Sequence, residues 1–430
     1  MYRFNHIRIN RTSSNRFETQ TMTKLEALLP RKMFRIPGIV SVARKLLSQS
    51  FSNQNEVGVT FRDCDGTHFM GAPDSTRQFT IEVQSKLFYQ RLLRRGDLGV
   101  AESYIAGEWS CSDLSGLFKA LIGQSRSLKK MLRKYSWLGN LRPRFLHSRR
   151  HNSVENSRNN ISKHYDLGND FYKLFLDETL CYSSGIFNRS DMTMREASLE
   201  KMKAACESLG LTANDHLLEI GTGWGALAVY AAENYGCRVT TTTISKEQFS
   251  FAQQRVRDSG VENLVEVLDQ DYRLLPGSYD KLVSVEMIEA VGDEYLDVFF
   301  RKCRTLLKPG GKMLLQSILM NDADYEDYLE SVDFIRFYIF PGGCLPSMKR
   351  IDAINKEEGL FERVHLLDMT SSYVETLGFW LQGFRAKAEE CEKLGYDASF
   401  RRLWEYYLEY CRAGFSSKHI GVAQLLFERS

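Results

Sequence analysis

The stretch Leu217-Leu-Glu-Ile-Gly-Thr-Gly-Trp-Gly225 decides the fold of this chain. It predicts a short apolar strand that ends in three closely spaced glycines and leads into a helix over 226–235. Glycine permits a tight turn and lets a ligand approach the backbone closely. Gly221, Gly223 and Ala226 also satisfy the glycine spacing of dinucleotide-binding folds. The glycines therefore predict a cofactor site but do not by themselves choose the cofactor.

Strand-like and helix-like segments alternate after this point. Such alternation predicts an α/β fold, in which a mostly parallel sheet carries helices on both faces and ligands bind beyond the carboxyl ends of the strands. Site residues should therefore follow strands directly. The predicted strands are 217–220, 238–244, 265–269, 281–287 and 312–319, and the predicted helices are 224–235, 246–259 and 295–307.

The end of the second predicted strand carries hydroxyl groups, in Thr241-Thr-Thr-Ile-Ser245, where a dinucleotide fold usually has an acid for the ribose. This argues against a nicotinamide cofactor. Ser245 and Gln248 have the spacing of a capping box and predict the start of the next helix. Two interpretations stay open, since these residues either only cap the helix or also donate to a ribose.

A chain of 430 residues is long enough for two domains. The pattern predicts a leader (1–55), a small N-terminal α+β domain (56–147), a linker (148–162) and a catalytic domain (163–430). In the N-terminal domain, strands are expected at 57–61 and 78–83 and helices at 85–94 and 114–121.

The nine cysteines are scattered without a CxxC pair, which excludes a disulfide framework and a zinc site and favours a reducing compartment.

Charge is distributed unevenly along the chain. Residues 114–154 hold ten Lys or Arg and no Asp or Glu, which indicates either a solvated basic helix and linker or a surface for anionic phospholipid; nucleic acid is disfavoured. No run of about 18 apolar residues occurs, so membrane contact should be peripheral. A cytoplasmic location agrees with the reducing compartment that the cysteines favour. Residues 1–17 contain four arginines and no acid, a composition also typical of mitochondrial presequences, so a mitochondrial location is the alternative.

Beyond these patterns, residues 56–430 resemble the cyclopropane fatty acid synthase family. Eight motifs in order carry the resemblance: His164-Tyr-Asp-Leu-Gly-Asn-Asp170, Cys181-Tyr-Ser-Ser184, Glu219-Ile-Gly-Thr-Gly-Trp-Gly225, Thr243-Ile-Ser-Lys-Glu-Gln248, Gln270-Asp-Tyr-Arg273, Met287-Ile-Glu-Ala-Val-Gly292, Tyr338-Ile-Phe-Pro-Gly-Gly-Cys-Leu-Pro-Ser347 and Cys411. The resemblance implies a class I methyltransferase fold that uses S-adenosylmethionine.

The resemblance also implies a reaction and a cofactor site. The methyl group passes to a cis double bond of a phospholipid acyl chain, and the resulting carbocation closes to cyclopropane when a bound bicarbonate removes a proton. The residues implied to contact the cofactor are Tyr182 and Ser183 at the methionine part, Glu219, Gly221, Gly223, Trp224 and Gly225 beneath it, Thr243, Ile244, Ser245 and Gln248 at the ribose, and Asp271 and Tyr272 at the adenine.

By the same resemblance, Glu289 aligns with the carboxylate that orients bicarbonate, and Tyr373 and Ile318 align with two further contacts. A buried structural acid and a core tyrosine are the alternatives. Where the best-known bacterial pattern has a cysteine and two histidines, this chain has Ser184, Ala290 and Gln316. Ser184 and Gln316 can still hydrogen-bond an anion. Neither Ala290 nor Gln316 can carry a proton, so the base and the product, a ring or a methylene- or methyl-branched chain, stay open.

Cys411 matches a cysteine described in the family as an active-site residue, although free cysteine is commonly a small core residue.

Two other functions compete with the lipid reaction: an N-methyltransferase acting on a small amine, and a catalytically silent lipid-binding protein. By resemblance, the N-terminal domain docks on a membrane or mediates a homodimer. No metal site is expected.

Overall fold

A computed structural model of the chain describes residues 38–51, 56–122 and 167–429. The predicted targeting segment, the linker at 148–162 and most of the basic stretch lie outside these residues. Among the helices of the described ranges, none combines the length and the apolarity that crossing a membrane requires.

The N-terminal part is a small sheet with helices packed on it. Of its elements, the sequence predicts Val57–Asp63, Arg77–Val83, Leu87–Arg95 and Leu114–Ile122, but not Ile39–Phe51, Gly66–Gly71, Asp97–Ile105 or Trp109–Cys111. Its strands run in the order β2-β1-β3-β4, with β1 and β3 parallel and the two outer strands antiparallel to their neighbours. The elements are α1 (Ile39–Phe51), β1 (Val57–Asp63), β2 (Gly66–Gly71), β3 (Arg77–Val83), α2 (Leu87–Arg95), α3 (Asp97–Ile105), β4 (Trp109–Cys111) and α4 (Leu114–Ile122).

The C-terminal part begins with a short helix and then follows the predicted alternation. Its first elements are α5 (Asn169–Tyr172), α6 (Met194–Leu209), β5 (His216–Ile220), α7 (Ala226–Tyr235), β6 (Arg238–Thr243), α8 (Lys246–Asp258), β7 (Val265–Asp269), β8 (Tyr279–Val285), α9 (Leu296–Leu306) and β9 (Leu307–Met320). The remaining elements are α10 (Tyr325–Leu329), a π-helical turn (Ile335–Ile339), α11 (Met348–Glu357), β10 (Glu362–Asp368), α12 (Thr370–Ala386), α13 (Ala388–Lys393), α14 (Ala398–Ser416) and β11 (Ile420–Glu428).

Seven strands form the main sheet in the order β10-β11-β9-β8-β5-β6-β7. The strands from β5 to β9 are parallel, and β11 runs antiparallel between β9 and β10. This is the predicted α/β fold of a class I methyltransferase. The sequence did not predict β10 and β11, and β9 starts at Leu307, earlier than the predicted residue 312.

Local sequence explains why the helices begin and end where they do. Thr193 and Glu196 form a complete capping box at the start of α6, and Gly210, at φ 63°, ends it in the left-handed conformation that glycine adopts without strain. Parallel strands such as β5 are buried on both faces, which requires nearly continuous apolar runs like Leu217-Leu218.

The N-terminal sheet and helices α12 and α14 share one hydrophobic core. The ring of Tyr406 lies 5.5 Å from that of Tyr104 and 4.9 Å from that of Phe118, measured between centroids. The N-terminal elements are therefore packed directly against α14, which carries Cys411, and α14 in turn packs on α12, which carries Tyr373.

Candidate active site

One large cavity, of about 1080 Å³, opens at the carboxyl ends of the parallel strands. The chain leaves β5, β6, β7 and β8 at this edge, as the fold predicts. The glycine loop lines the cavity, together with charged residues such as Asp333 and Arg336. Apolar and aromatic residues also line it, among them Ile318, Phe340, Leu377, Tyr407, Tyr410 and Phe415.

The glycine loop leaves open space for a ligand. Gly223 lines the cavity at φ 52°, and a Cβ built on it would meet nothing within 4 Å. A Cβ on Gly225 would instead lie 3.1 Å from that of Ala252 in α8. Gly225 thus permits close helix packing and does not line the cavity, whereas Gly221, Gly223 and Trp224 do.

Glu219 is a buried carboxylate at the end of β5 that faces the cavity. Its Oε2 accepts a 2.5 Å hydrogen bond from the hydroxyl of Thr241, whose oxygen also lies 2.7 Å from the hydroxyl oxygen of Thr222. Burial raises the pKa of Glu219 to about 8. A cationic ligand group here would compensate the cost of burying this charge, so the residue fits the methionine part of S-adenosylmethionine.

The loop after β6 is held by its own hydroxyl groups. Ser245 caps α8 by accepting from the backbone N–H of Gln248 at 3.4 Å. The second half of the predicted capping box is not made, because the N–H of Ser245 donates to Thr243 Oγ1, which itself donates to Gln248 Oε1 at 2.9 Å. Thr243, Ile244 and Gln248 line the cavity, whereas Ser245 does not.

Asp271 and Tyr272 lie on the cavity wall after β7. The carboxylate of Asp271 accepts from the N–H of Arg273 and from its guanidinium, at 2.7 to 2.9 Å. This arrangement fixes the short turn that presents the ring of Tyr272, whose pKa burial raises well above its usual range.

Tyr182 and Ser183 reach the cavity from the loop before α6. The hydroxyls of Tyr182 and Tyr407 are hydrogen bonded at 2.8 Å, and the Tyr182 ring stacks on Trp380. Ser183 accepts a 2.7 Å hydrogen bond from the buried ammonium of Lys201. The sequence analysis missed Lys201, although a lysine between Ala197 and Ala205 on the buried face of α6 is itself an anomaly that could have been noticed.

Glu289 lies on the cavity wall just after β8. Its Oε1 accepts from the backbone N–H of Ile318 at 2.6 Å and from Ser317 at 3.0 Å, whereas its Oε2 is buried with no hydrogen-bond partner within the described ranges. Burial, together with the nearby charge of Glu286, raises the pKa of Glu289 to about 8.

Glu286 is a second carboxylate on the same wall, and the sequence analysis missed it. Its Oε1 accepts from the N–H of Ser184 at 2.9 Å and from Gln316 Nε2 at 2.8 Å, and its Oε2 accepts from Tyr373 at 2.9 Å. Burial raises the pKa of its carboxyl group. The signal in the sequence was an acid directly after an apolar strand, at the edge where site residues were expected.

Ser184 and Gln316 are fully buried and lie behind Glu286, away from the cavity wall. Gln424 donates to Gln316 Oε1 at 3.1 Å, which fixes the Gln316 amide with its nitrogen toward Glu286. The groups predicted to donate to a bound bicarbonate have partners within the chain instead. The N–H of Ile318 donates to Glu289, and Gln316 and Tyr373 donate to Glu286. Ser184 donates its N–H to Glu286 and its hydroxyl to the carbonyl of Gly185. The site as built does not fit a bound bicarbonate.

Cys411 lines the cavity from α14. Burial raises the pKa of its thiol well above the usual range. Because the thiolate is the nucleophilic form of cysteine, the surroundings of Cys411 disfavour covalent catalysis.

Comparison with known proteins identifies similar chains. The family model for mycolic acid cyclopropane synthetase matches residues 152–425. The chain is 37% identical to the tuberculostearic acid methyltransferase of Mycobacterium tuberculosis, over 84% of this chain and 85% of that protein. It is 34% identical to the cyclopropane-fatty-acyl-phospholipid synthase of Escherichia coli, over 81% of this chain and 87% of that protein.

Solved structures show the same likeness. A mycolic acid cyclopropane synthase in complex with SAH and CTAB superposes with a TM-score of 0.59 at 32% identity, covering 63% of this chain and 98% of that one. A second cyclopropane synthase, from Mycobacterium tuberculosis, gives a TM-score of 0.59 at 28% identity, with the same coverage.

Proposed function

This chain belongs to the mycolic acid cyclopropane synthetase family of S-adenosylmethionine-dependent methyltransferases, and we propose that it transfers the methyl carbon of S-adenosylmethionine to the cis double bond of an unsaturated phospholipid acyl chain. The product is a cyclopropane ring or a methylene-branched chain, and a methyl-branched chain forms only if a separate two-electron reductant then reduces the methylene group. The observation that carries the proposal is the large cavity, which is lined by the glycine loop, by the carboxylates of Glu219, Glu286 and Glu289, and by apolar and aromatic side chains.

The names of the relatives support a lipid substrate. One relative is named as a methyltransferase of tuberculostearic acid and another as a synthase of cyclopropane fatty acyl phospholipids. The size of the cavity and its apolar lining residues support the same substrate, because an acyl chain has a large hydrophobic surface to cover and a small amine does not.

The cavity residues suit the chemistry of a poor nucleophile. S-adenosylmethionine supplies an electrophilic methyl group on a sulfonium. An alkene is a poor nucleophile and attacks this methyl group only when the two are held in contact in a water-free pocket. Leu377, Phe415 and Ile318 provide apolar walls for such a pocket. The faces of nearby tyrosines such as Tyr407 can stabilise the developing cation by about 0.5–2 kcal/mol each.

The test is gas chromatography with mass spectrometry of fatty acid methyl esters after incubation of the full chain with methyl-labelled S-adenosylmethionine and oleoyl phosphatidylglycerol vesicles. Stearoyl vesicles, which lack the double bond, are the control. A labelled chain heavier by one CH₂ that resists hydrogenation identifies the ring, and a product of that mass that takes up hydrogen identifies the methylene chain. Unlabelled lipid despite intact cofactor binding by calorimetry would reject the lipid substrate and favour the amine.

We further propose that the protein is cytoplasmic; a mitochondrial location is the alternative. We also propose that it docks on anionic membrane through residues 114–154; formation of a homodimer is the alternative to docking. The ten basic residues of this stretch support the proposal. Co-sedimentation with phosphatidylglycerol vesicles should exceed that with phosphatidylcholine and fall as salt is raised, because salt screens the attraction. Equal sedimentation with both lipids would contradict it. Cell fractionation and light scattering address location and oligomeric state.

A further inference from the structure

We propose that Glu286 is the built-in anion of this active site and accepts the proton that the methylated acyl chain loses, so that the reaction needs no free anion. The inference rests on the proposed function, since it requires a carbocation in the cavity. It assigns a catalytic role to a residue that the sequence motifs did not mark.

The hydrogen bonds around Glu286 form a prepared anion site. Three donors from separate segments converge on its carboxylate: the Ser184 N–H, the Gln316 amide and the Tyr373 hydroxyl. Convergent buried donors of this kind stabilise an ionised carboxylate. An independent anion would have to compete with Glu286 for all three, whereas the carboxylate is already present and lines the cavity.

The backbone at Glu286 supports a functional role. Its φ of 47° lies in the left-handed region, which a residue with a side chain adopts at a cost of about 1–2 kcal/mol and glycine adopts freely. A glycine would fit this position better by conformation alone. Strain of this kind persists where the surroundings fix it, and it clusters at active sites.

The charges nearby distinguish the two carboxylates. Lys201 is buried and its charge favours the ionised form of Glu286. Glu289 has donors on Oε1 alone, and the charge of Glu286 opposes its ionisation. Among the described residues, Glu286 accepts hydrogen bonds on both carboxylate oxygens and Glu289 on Oε1 alone. Since like charges oppose joint ionisation, we assign the charge to Glu286 and the proton to Glu289.

The chemistry balances with this assignment. The π electrons of the alkene form the new C–C bond to the methyl carbon while the C–S bond breaks, and the sulfur keeps that electron pair as S-adenosylhomocysteine leaves. One C–H bond beside the cation then breaks. Its electrons close the ring, or form a double bond in the branched product, and its proton goes to a carboxylate oxygen of Glu286. Solvent takes the proton after the product has left.

The experiment measures labelled product formation by the full chain in carbonate-free buffer under argon, with and without added bicarbonate. For the wild type we expect equal rates in both conditions. Since a positioned base contributes about 10²–10⁴-fold, E286Q and E286G should lower kcat by that order. E286G leaves the position of the carboxylate empty and removes the strain of the positive φ. Added bicarbonate or formate can then occupy that position and should restore part of the rate. E286Q keeps the site filled and should not respond.

Cofactor affinity and thermal unfolding of both variants separate a chemical role from a structural one. Variants that bind S-adenosylmethionine as the wild type does but have a reduced kcat support the proposal. Variants that lose cofactor affinity and thermal stability together with kcat would assign Glu286 to structure alone. A wild type that forms product only with added bicarbonate would overturn the inference while leaving the proposed function intact. A wild type that labels no lipid in either condition would instead reject the proposed function.

Discussion

Tyr338, in the π-helical turn beside the cavity, donates a 2.8 Å hydrogen bond to Oε1 of Glu102 in α3, across 236 residues of sequence. Glu102 is fully buried and forms an ion pair with Arg95 at 2.9 Å. Burial raises the pKa of its carboxyl group, whereas the charge of Arg95 and the Tyr338 hydroxyl lower it. The N-terminal elements are thereby joined to the wall of the active site through a polar contact inside an apolar core.

Removing the hydroxyl in Y338F should therefore lower the free energy of unfolding by about 1–3 kcal/mol, because the buried Glu102 loses a donor. Equilibrium denaturation of the wild type, Y338F, E102Q and the double variant measures this as a double-mutant cycle. We expect a coupling energy of about 0.5–3 kcal/mol, as is found for residues in contact. Strictly additive effects would show that the contact contributes nothing.

The glycine loop offers a matched pair of substitutions. Gly223 and Gly210 have similar φ values, 52° and 63°, and a Cβ on either would meet nothing within 4 Å. G223A and G210A should therefore each cost about 1–2 kcal/mol of stability through backbone strain. Only Gly223 lines the cavity, so calorimetry should show weaker S-adenosylmethionine binding for G223A alone. Equal affinities would place the cofactor away from this loop.

Glu219 should link cofactor binding to pH. Its pKa is raised to about 8 without a ligand, so its carboxyl group is mostly protonated at pH 7. A cationic ligand favours the ionised form and lowers this pKa, so binding should release a proton and tighten as the pH rises toward 8. Calorimetry at pH 7 in two buffers of different ionisation enthalpy measures the release. E219Q is the control, and a release that persists in it would assign the proton to another group.

Cys411 should be dispensable for chemistry, because burial raises the pKa of its thiol and keeps it neutral. C411A should retain most of its turnover and lose no more than about 1 kcal/mol of stability, because Cys411 is only partly buried and already borders the cavity. Intact-mass spectrometry of the wild type with labelled S-adenosylmethionine should show no methylated enzyme. A methyl adduct that disappears in C411A, together with its activity, would make Cys411 a nucleophile.

Much of the fold could be predicted from the sequence, because periodicity and turn chemistry are local properties. An apolar run such as Leu217-Leu218 followed by glycines specifies a strand and a tight turn wherever the chain goes, and parallel strands then place their carboxyl ends at one edge. Strands β10 and β11 were missed, since their places beside β9 depend on pairing between segments distant in sequence.

The sequence by itself determined the methyltransferase fold, the glycine loop and the acids that follow the strands. Only the tertiary structure decided which groups meet. Ser184, Gln316 and Tyr373 are far apart in the chain and converge on Glu286, and Lys201 reaches the site from another helix. A hydrogen bond depends on distance and angle in space, which spacing along the chain does not encode. For that reason the motifs marked Glu289, while the folded chain also placed Glu286 on the cavity wall.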